Sequence, residues 1–309
     1  MTSRKFIYII ITITLIAIVS ITLSSIWLND FGLWSNRNNI KIHGLEKTSK
    51  YLLSFKYIPK NFAGIIIGPS ASANMNTQLI TNYKIYNLSM DGGNISELKF
   101  ATDNVLTSNK IKYLIICLYP YLTQNHGTKG NEIDPKEYWG SILSFLPLKI
   151  LLCKIRTKLF PNTDKFHSST WGYNDANILR AHKPPGTTYN LSFMPTIQKN
   201  PDPIYIDPIA YNELRDVINL ARKNNVRILA YYYPIFYNAH INQKYNGTWD
   251  KYKNKISQLF TDADLVWDMN DPEYYYITRN PVSYYDGCHL NYTAAIQVLK
   301  VIATKLDAL

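Results

Sequence analysis

Three cysteines in 309 residues are too few for a disulfide framework. The six histidines form no His-x-x-x-His pair or similar cluster, whereas a catalytic zinc needs three protein ligands. No metal and no other cofactor is expected. No internal repeat is present, and no basic helix or RNA-binding signature. Acidic residues are scarce: 22 Asp and Glu stand against 33 Lys and Arg, a net charge of +11. Such an excess concentrates anionic partners at the surface.

Charge is missing altogether from Phe6 to Leu28, and roughly 20 apolar residues suffice to cross a bilayer. A cleaved signal peptide has a shorter apolar core and a small-residue cleavage site; Ser24-Ser25 followed by Ile26 and Trp27 is a poor one. The run is therefore read as an uncleaved transmembrane anchor, residues 6–28. Arg4 and Lys5 place residues 1–5 in the cytoplasm, with the bulk of the chain outside and Trp27 and Trp34 at the outer interface. This topology argues against nucleic acid as the anionic partner. Headgroups, teichoic acids and acidic polysaccharides fit. Residues 29–61 read as a polar connector.

Beyond it, apolar runs alternate with amphipathic ones. Ile65 to Gly68, Ile85 to Leu88, Tyr113 to Leu118, Val226 to Tyr233 and Asp264 to Met269 read as strands. Ile95 to Leu106 and Pro208 to Asn224 read as helices between them, and Tyr292 to Leu306 as a last one. This alternation predicts an α/β fold with a doubly wound parallel sheet over 62–309. The basic fold does not need the residues between the third and fourth strands, so about 122–206 is read as an inserted, helical lid. Within it Tyr138 to Leu159 is strongly apolar, ends in Lys149, Lys154, Arg156 and Lys158, and should kink at Pro147. It is either a helix packed on the sheet or one lying on a membrane or partner. Trp171-Gly172-Tyr173-Asn174-Asp175 and His182-Lys183-Pro184-Pro185 close the insert, with aromatics suited to stacking on sugar rings or on one another.

The stretch Gly64-Ile65-Ile66-Ile67-Gly68-Pro69-Ser70 ends a buried strand abruptly. Ser72-Ala73-Asn74 then offers helix-capping chemistry. Open α/β sheets place ligands at the carboxyl ends of their strands, which is where Ser70 falls; a plain turn or cap role is the alternative. Far downstream, Asp286-Gly287-Cys288-His289 puts an Asp three residues before a His. A nucleophilic serine needs a base, and the base needs a partner that fixes its tautomer. Cys117 and Cys288 are read as packing residues.

Together these stretches resemble the SGNH (GDSL-type) hydrolase superfamily, which has its serine in a first block and Asp-x-x-His near its end. Tyr86-Asn87-Leu88-Ser89-Met90-Asp91-Gly92-Gly93 resembles the family's second block. The resemblance implies a flavodoxin-like three-layer fold, a catalytic Ser70, Asp286 and His289, and an oxyanion hole from the Ser70 and Gly92 N–H groups. Two departures stand out. Pro69 occupies the place of the family's Asp before the serine, and Tyr119-Pro120-Tyr121 follows the third strand where Gly-x-Asn-Asp is usual. Tyr121 or Asn125 is then the replacement for the third oxyanion donor. In layout the chain is similar to membrane-anchored cell-envelope proteins of teichoic-acid D-alanylation and polysaccharide O-acetylation. That likeness implies a serine esterase or O-acyltransferase acting on an envelope glycan or teichoic acid, with a membrane-embedded acyltransferase as partner. The alternative is a catalytically inactive assembly or glycan-binding protein on the same fold.

Overall fold

A computed structural model describes residues 3–35, 37–124, 133–143, 145–160, 169–174, 194–199 and 201–309. The first element, α1 (Ser3–Leu28), is uncharged beyond Lys5; its most apolar 18-residue window has a mean hydropathy of 2.7 and is not buried by the rest of the chain, whereas Ser25 near its end is. It is long and apolar enough to cross a membrane, a description that a signal sequence near an N-terminus also meets.

The residues expected as a connector behave differently. They carry α2 (Glu46–Leu53) and α3 (Tyr57–Asn61), and every residue of α2 is buried. A helix reading Glu-Lys-Thr-Ser-Lys is buried only because its charges are paired. Lys47 meets Glu97 at 2.9 Å and Lys50 meets Glu46 at 2.8 Å.

The sheet follows: β1 (Gly64–Ile67), β2 (Ile85–Asn87), β3 (Tyr113–Leu118), β4 (Arg227–Tyr232) and β5 (Leu265–Asp268). All four pairings are parallel and the spatial order is β2-β1-β3-β4-β5. Ile65, Ile66 and Ile67 of β1, and Leu114 to Leu118 of β3, are essentially without exposed surface. Both faces are therefore covered, which is why these strands read as unbroken apolar runs.

Three of the covering helices start on side-chain caps. Asn94 caps α5 (Ile95–Leu106) by accepting from the Glu97 N–H. After the short α6 (Glu137–Leu143) and α7 (Leu146–Leu159), Asp207 accepts from the Ile209 and Ala210 N–H groups at the start of α8 (Pro208–Lys223). Then come α9 (Tyr237–Tyr245), α10 (Thr248–Ser257), α11 (Tyr275–Thr278) and α12 (Tyr292–Asp307), the last capped by Asn291. Right-handed crossovers place α5 and α8, which pack together, on one face, and α12 on the other with the 77–79 turn.

The order reverses between β1 and β3. That is the switch point at which such sheets bind ligands, outside the carboxyl ends of the strands. Ser70 begins α4 (Ser70–Ala73) directly after β1.

The insert departs from expectation in two places. Pro147 does not kink one long helix; it lies in the first turn of α7, where its missing N–H is harmless, and α6 is a separate helix. Trp171 meets Phe62 edge to face at 5.3 Å, and its carbonyl accepts from the N–H of Asn87, the last residue of β2. Trp171 thus packs on the domain itself. Asp175 and the 182–185 stretch lie outside the described residues.

Candidate active site

Ser70 reaches its position because β1 stops at Gly68-Pro69. A Cβ at Gly68 would lie 2.3 Å from Ser72 Oγ and 2.7 Å from Cys117 Cβ, so only glycine lets this corner close. Pro69 precedes α4 in extended conformation. Ser72 does not cap a helix as its type suggested. Its hydroxyl donates to the Pro69 carbonyl and lies 2.8 Å from Ser89 Oγ, tying the first block to the second. Asn87 strengthens that tie: its amide donates to the Ser72 and Met75 carbonyls and its oxygen accepts from the Ser89 N–H.

His289 arrives from the opposite end of the chain. The loop carrying it is closed by Tyr284 bridging Leu290, and by the Tyr285 N–H donating to the His289 carbonyl. Tyr233, just past β4, clamps it: its hydroxyl donates to the Cys288 carbonyl at 3.1 Å and accepts from the Leu290 N–H at 3.0 Å. Asn74, at the end of α4, donates to the Leu290 carbonyl. The serine's helix and the histidine's loop are thus fastened directly to each other.

The outcome is a continuous relay. Ser70 Oγ lies 2.9 Å from His289 Nε2, and His289 Nδ1 lies 2.8 Å from Asp286 Oδ2. The other Asp286 oxygen accepts from the Cys288 and His289 N–H groups at 2.9 and 2.7 Å, so the carboxylate cannot rotate away. Tyr285 stacks on the imidazole, with 15° between the planes.

Burial pushes Asp286 up, but the hydrogen bond and charge of His289 and the two backbone N–H groups outweigh it and hold the carboxyl down to about 2. Burial pushes His289 down, and its bonds to Asp286 and Cys288 outweigh that, raising it above the ordinary imidazole range. The raised value matters chemically. Only neutral imidazole can accept the Ser70 proton, so the base form gathers above the pH of an ordinary histidine.

Cys288 was expected merely to pack. Its sulfur instead lies 3.1 Å from His289 Nδ1. Asp286, Cys288 and His289 bring metal-ligating atoms within 4.8 Å of one another. Nδ1 cannot bind a metal and Asp286 together, so loading this cluster would dismantle the relay. Cys117, by contrast, is fully buried, and burial pushes its thiol up to about 12.

Gly92 lies in the turn after β2, at φ +59, with open space where a Cβ would be. The same turn is joined to the Ser70 corner by the Met90 N–H donating to the Gly68 carbonyl. Among the described residues the Gly92 N–H has no hydrogen-bond partner. Ser70, as the first helical residue, has an N–H with no intrahelical acceptor. Tyr121 sits in the 3-10 turn Pro120–Thr123 after β3, half-buried at the same edge of the sheet. Asn125 lies outside the described residues.

Composition hid the supports of the site. Glu46 Oε2 accepts from the Asp91 N–H at 3.0 Å, and Lys50 donates to the Ser89 carbonyl, so a buried ion pair carries the turn that presents Gly92. Tyr233 carried a signal of position alone, as the last tyrosine of a strand-ending run.

No family model matches the chain, and no curated protein matches it in sequence. Among solved structures it is similar to a Bacteroides fragilis protein described as a proposed acylhydrolase. The identity is 9% over 80% of this chain and 88% of that one, with a TM-score of 0.38. A likeness this loose carries no argument.

Proposed function

We propose that the protein is a membrane-anchored serine esterase or O-acyltransferase of SGNH type that acts on a cell-envelope glycan. The observation that carries the reading is the relay Ser70 Oγ, His289 Nε2, His289 Nδ1, Asp286 Oδ2, joined at 2.9 and 2.8 Å. Its distances lie inside the range for general-base catalysis.

In this mechanism Ser70 Oγ attacks the acyl carbonyl while His289 Nε2 takes its proton. Asp286 stabilises the imidazolium that forms and keeps Nδ1 as a donor. The Ser70 and Gly92 N–H groups receive the developing oxyanion. The imidazolium then returns its proton to the leaving oxygen, and an ester on Ser70 remains. Water or a sugar hydroxyl, deprotonated by His289, attacks that ester, transfers the acyl group and restores the serine.

Two features support a glycan at the membrane surface. Helix α1 is fitted to hold the domain there, and a net charge of +11 attracts anionic envelope polymers such as teichoic acids. A membrane-embedded acyltransferase would supply acyl groups in the transferase version. No cofactor or metal takes part in the steps above.

The test is fluorophosphonate labelling of the full chain in detergent. Wild type should be labelled on Ser70, Ser70→Ala should not, and His289→Ala should react far more slowly. A properly folded wild type that resists the probe would end the enzyme reading and leave a non-catalytic glycan-binding protein.

A further inference from the structure

We propose that α7 lies in the outer face of the bilayer, its exposed stripe embedded among acyl chains and its flanks on anionic lipid headgroups. This rests on the part of the proposed function in which α1 spans the membrane.

At about 100° per residue, Leu148, Leu152, Ile155 and Leu159 fall within about 60° of arc on α7. All four are exposed, between 46% and 65%. The opposite face, around Ile150, is buried against the domain. Arg156 and Lys149 border the stripe on one side and Lys158 on the other. All three are exposed, and among the described residues none has an acidic partner. An apolar stripe bordered by cations on both sides is the pattern of a helix lying in a membrane interface, where long basic side chains reach up to the headgroups.

Three observations commit the occupant to lipid. First, α7 and α6 pack against α1 itself, and Ser25 Oγ of α1 donates to the Ser141 carbonyl at 3.0 Å. Second, a cavity of about 180 Å³ between Ile21, Trp27, Leu28, Phe145, Leu148 and Leu151 is lined by apolar groups apart from Ser24. Those α1 residues belong to its last two turns, roughly 10 Å of helix. A spanning α1 would therefore set the start of α7 at the level where interfacial helices bury their apolar faces, about 5–10 Å deep. An acyl chain fills such a cavity and water does not. Third, charge is complementary. Lys154 pairs with Asp30, two residues past α1, and a polar cavity beside it is lined by Arg37 and Lys41, with Asp30 as the one acid among its described residues. Anionic headgroups match that surface.

The experiment uses the full chain in vesicles of phosphatidylglycerol or of phosphatidylcholine, with a lipid-soluble diazirine whose carbene adducts are located by mass spectrometry. Adducts are expected on α1 and also on Leu148, Leu152 and Ile155, with a higher α7 yield in phosphatidylglycerol. Leu152→Glu with Ile155→Glu should lower the α7 yield about tenfold and leave α1 labelled, because a carboxylate among acyl chains is strongly disfavoured. Lys149→Gln with Arg156→Gln and Lys158→Gln keeps the stripe, does not disturb the core, and should abolish the preference for the anionic lipid. Labelling of α1 without α7 in wild type overturns the proposal while sparing the anchor. Labelling of neither helix overturns the anchor reading as well. If α7 is labelled in pure vesicles but shielded in native membranes, the occupant is a membrane protein and the lipid assignment fails.

Discussion

Lys50 Nζ lies 2.8 Å from Glu46 Oε1 with no part of the lysine side chain exposed, and the pair supports the Ser89–Gly92 turn. Removing one partner of a buried ion pair strands the other charge, at a cost of about 3–5 kcal/mol. Glu46→Ala is therefore expected to lose that much stability in a urea titration of the detergent-solubilised chain. The double variant Glu46→Leu with Lys50→Met should recover much of it, since apolar pairs often replace buried ions at little cost. It should still react slowly with a fluorophosphonate, because the Asp91 N–H and Ser89 carbonyl lose their partners. A loss below 1 kcal/mol for the single variant would mean that the turn is held by something else.

The same pair shows where reading the chain by hydropathy stops. The five strands were legible because burial on both faces demands unbroken apolar runs: β3 has its expected bounds, and the others differ from theirs by one residue at one or both ends. The neighbourhood of Ser70, Asp286 and His289 was legible too, since a serine after a buried strand and an Asp three before a His carry chemistry in their types. Helix α2 was not. Its Glu46, Lys47 and Lys50 look like a solvated face, and their burial depends on Glu97 and on the Asp91 N–H, which lie far along the chain. Tyr233 and Asn74 fall in the same class, because their partners are backbone groups of a loop more than fifty residues away.

Protonation at the relay should appear in both rate and stability. Since His289 is raised, kcat/KM for an aryl ester should climb with pH through a limb above the ordinary histidine value of about 6.5. For stability, Asp286 is depressed, so its contribution is present above about 4 and is lost as pH falls towards 2. His289 is raised, so its contribution is complete below about 6.5 and fades as pH rises through its higher folded value. The pair should stabilise most between about 4 and 6.5. Asp286→Asn should flatten both edges of that window and move the kinetic limb to lower pH. Melting curves across pH check the first, pH–rate profiles the second. A wild-type limb at or below 6.5 would show that the Asp286 and Cys288 contacts do not hold His289 protonated.

Tyr233→Phe removes only a hydroxyl, yet that hydroxyl satisfies both the Cys288 carbonyl and the Leu290 N–H. Leaving buried polar groups unpaired costs about 1–3 kcal/mol. In a domain of this size, 1 kcal/mol corresponds to a fall of roughly 2–4 °C in Tm. The loop that positions His289 should loosen as well, so Ser70 labelling should slow by more than the stability loss accounts for at 25 °C. Equal labelling rates in Tyr233→Phe and wild type would assign Tyr233 to the core alone.

The third oxyanion donor is the open position of the proposed mechanism, and of its two candidates, Tyr121 and Asn125, Tyr121 lies among the described residues. It stands in the 3-10 turn after β3, the strand beside β1, at the same carboxyl end of the sheet as Ser70. A phenol donates through one hydroxyl at the end of a rigid ring, and it can serve as a donor where the family uses an amide. Removing one oxyanion donor typically costs about 10²–10³ in rate. Tyr121→Phe should therefore lower kcat by that factor with little change in KM, because the interaction is made in the transition state and not with the ground-state carbonyl. Half-buried and at a surface turn, the ring itself stays in place, so Tm should move little. Asn125→Ala run beside it separates the candidates. A large loss there, with Tyr121→Phe near wild type, would transfer the role to Asn125. If neither variant slows turnover, the oxyanion is held by the Ser70 and Gly92 N–H groups alone.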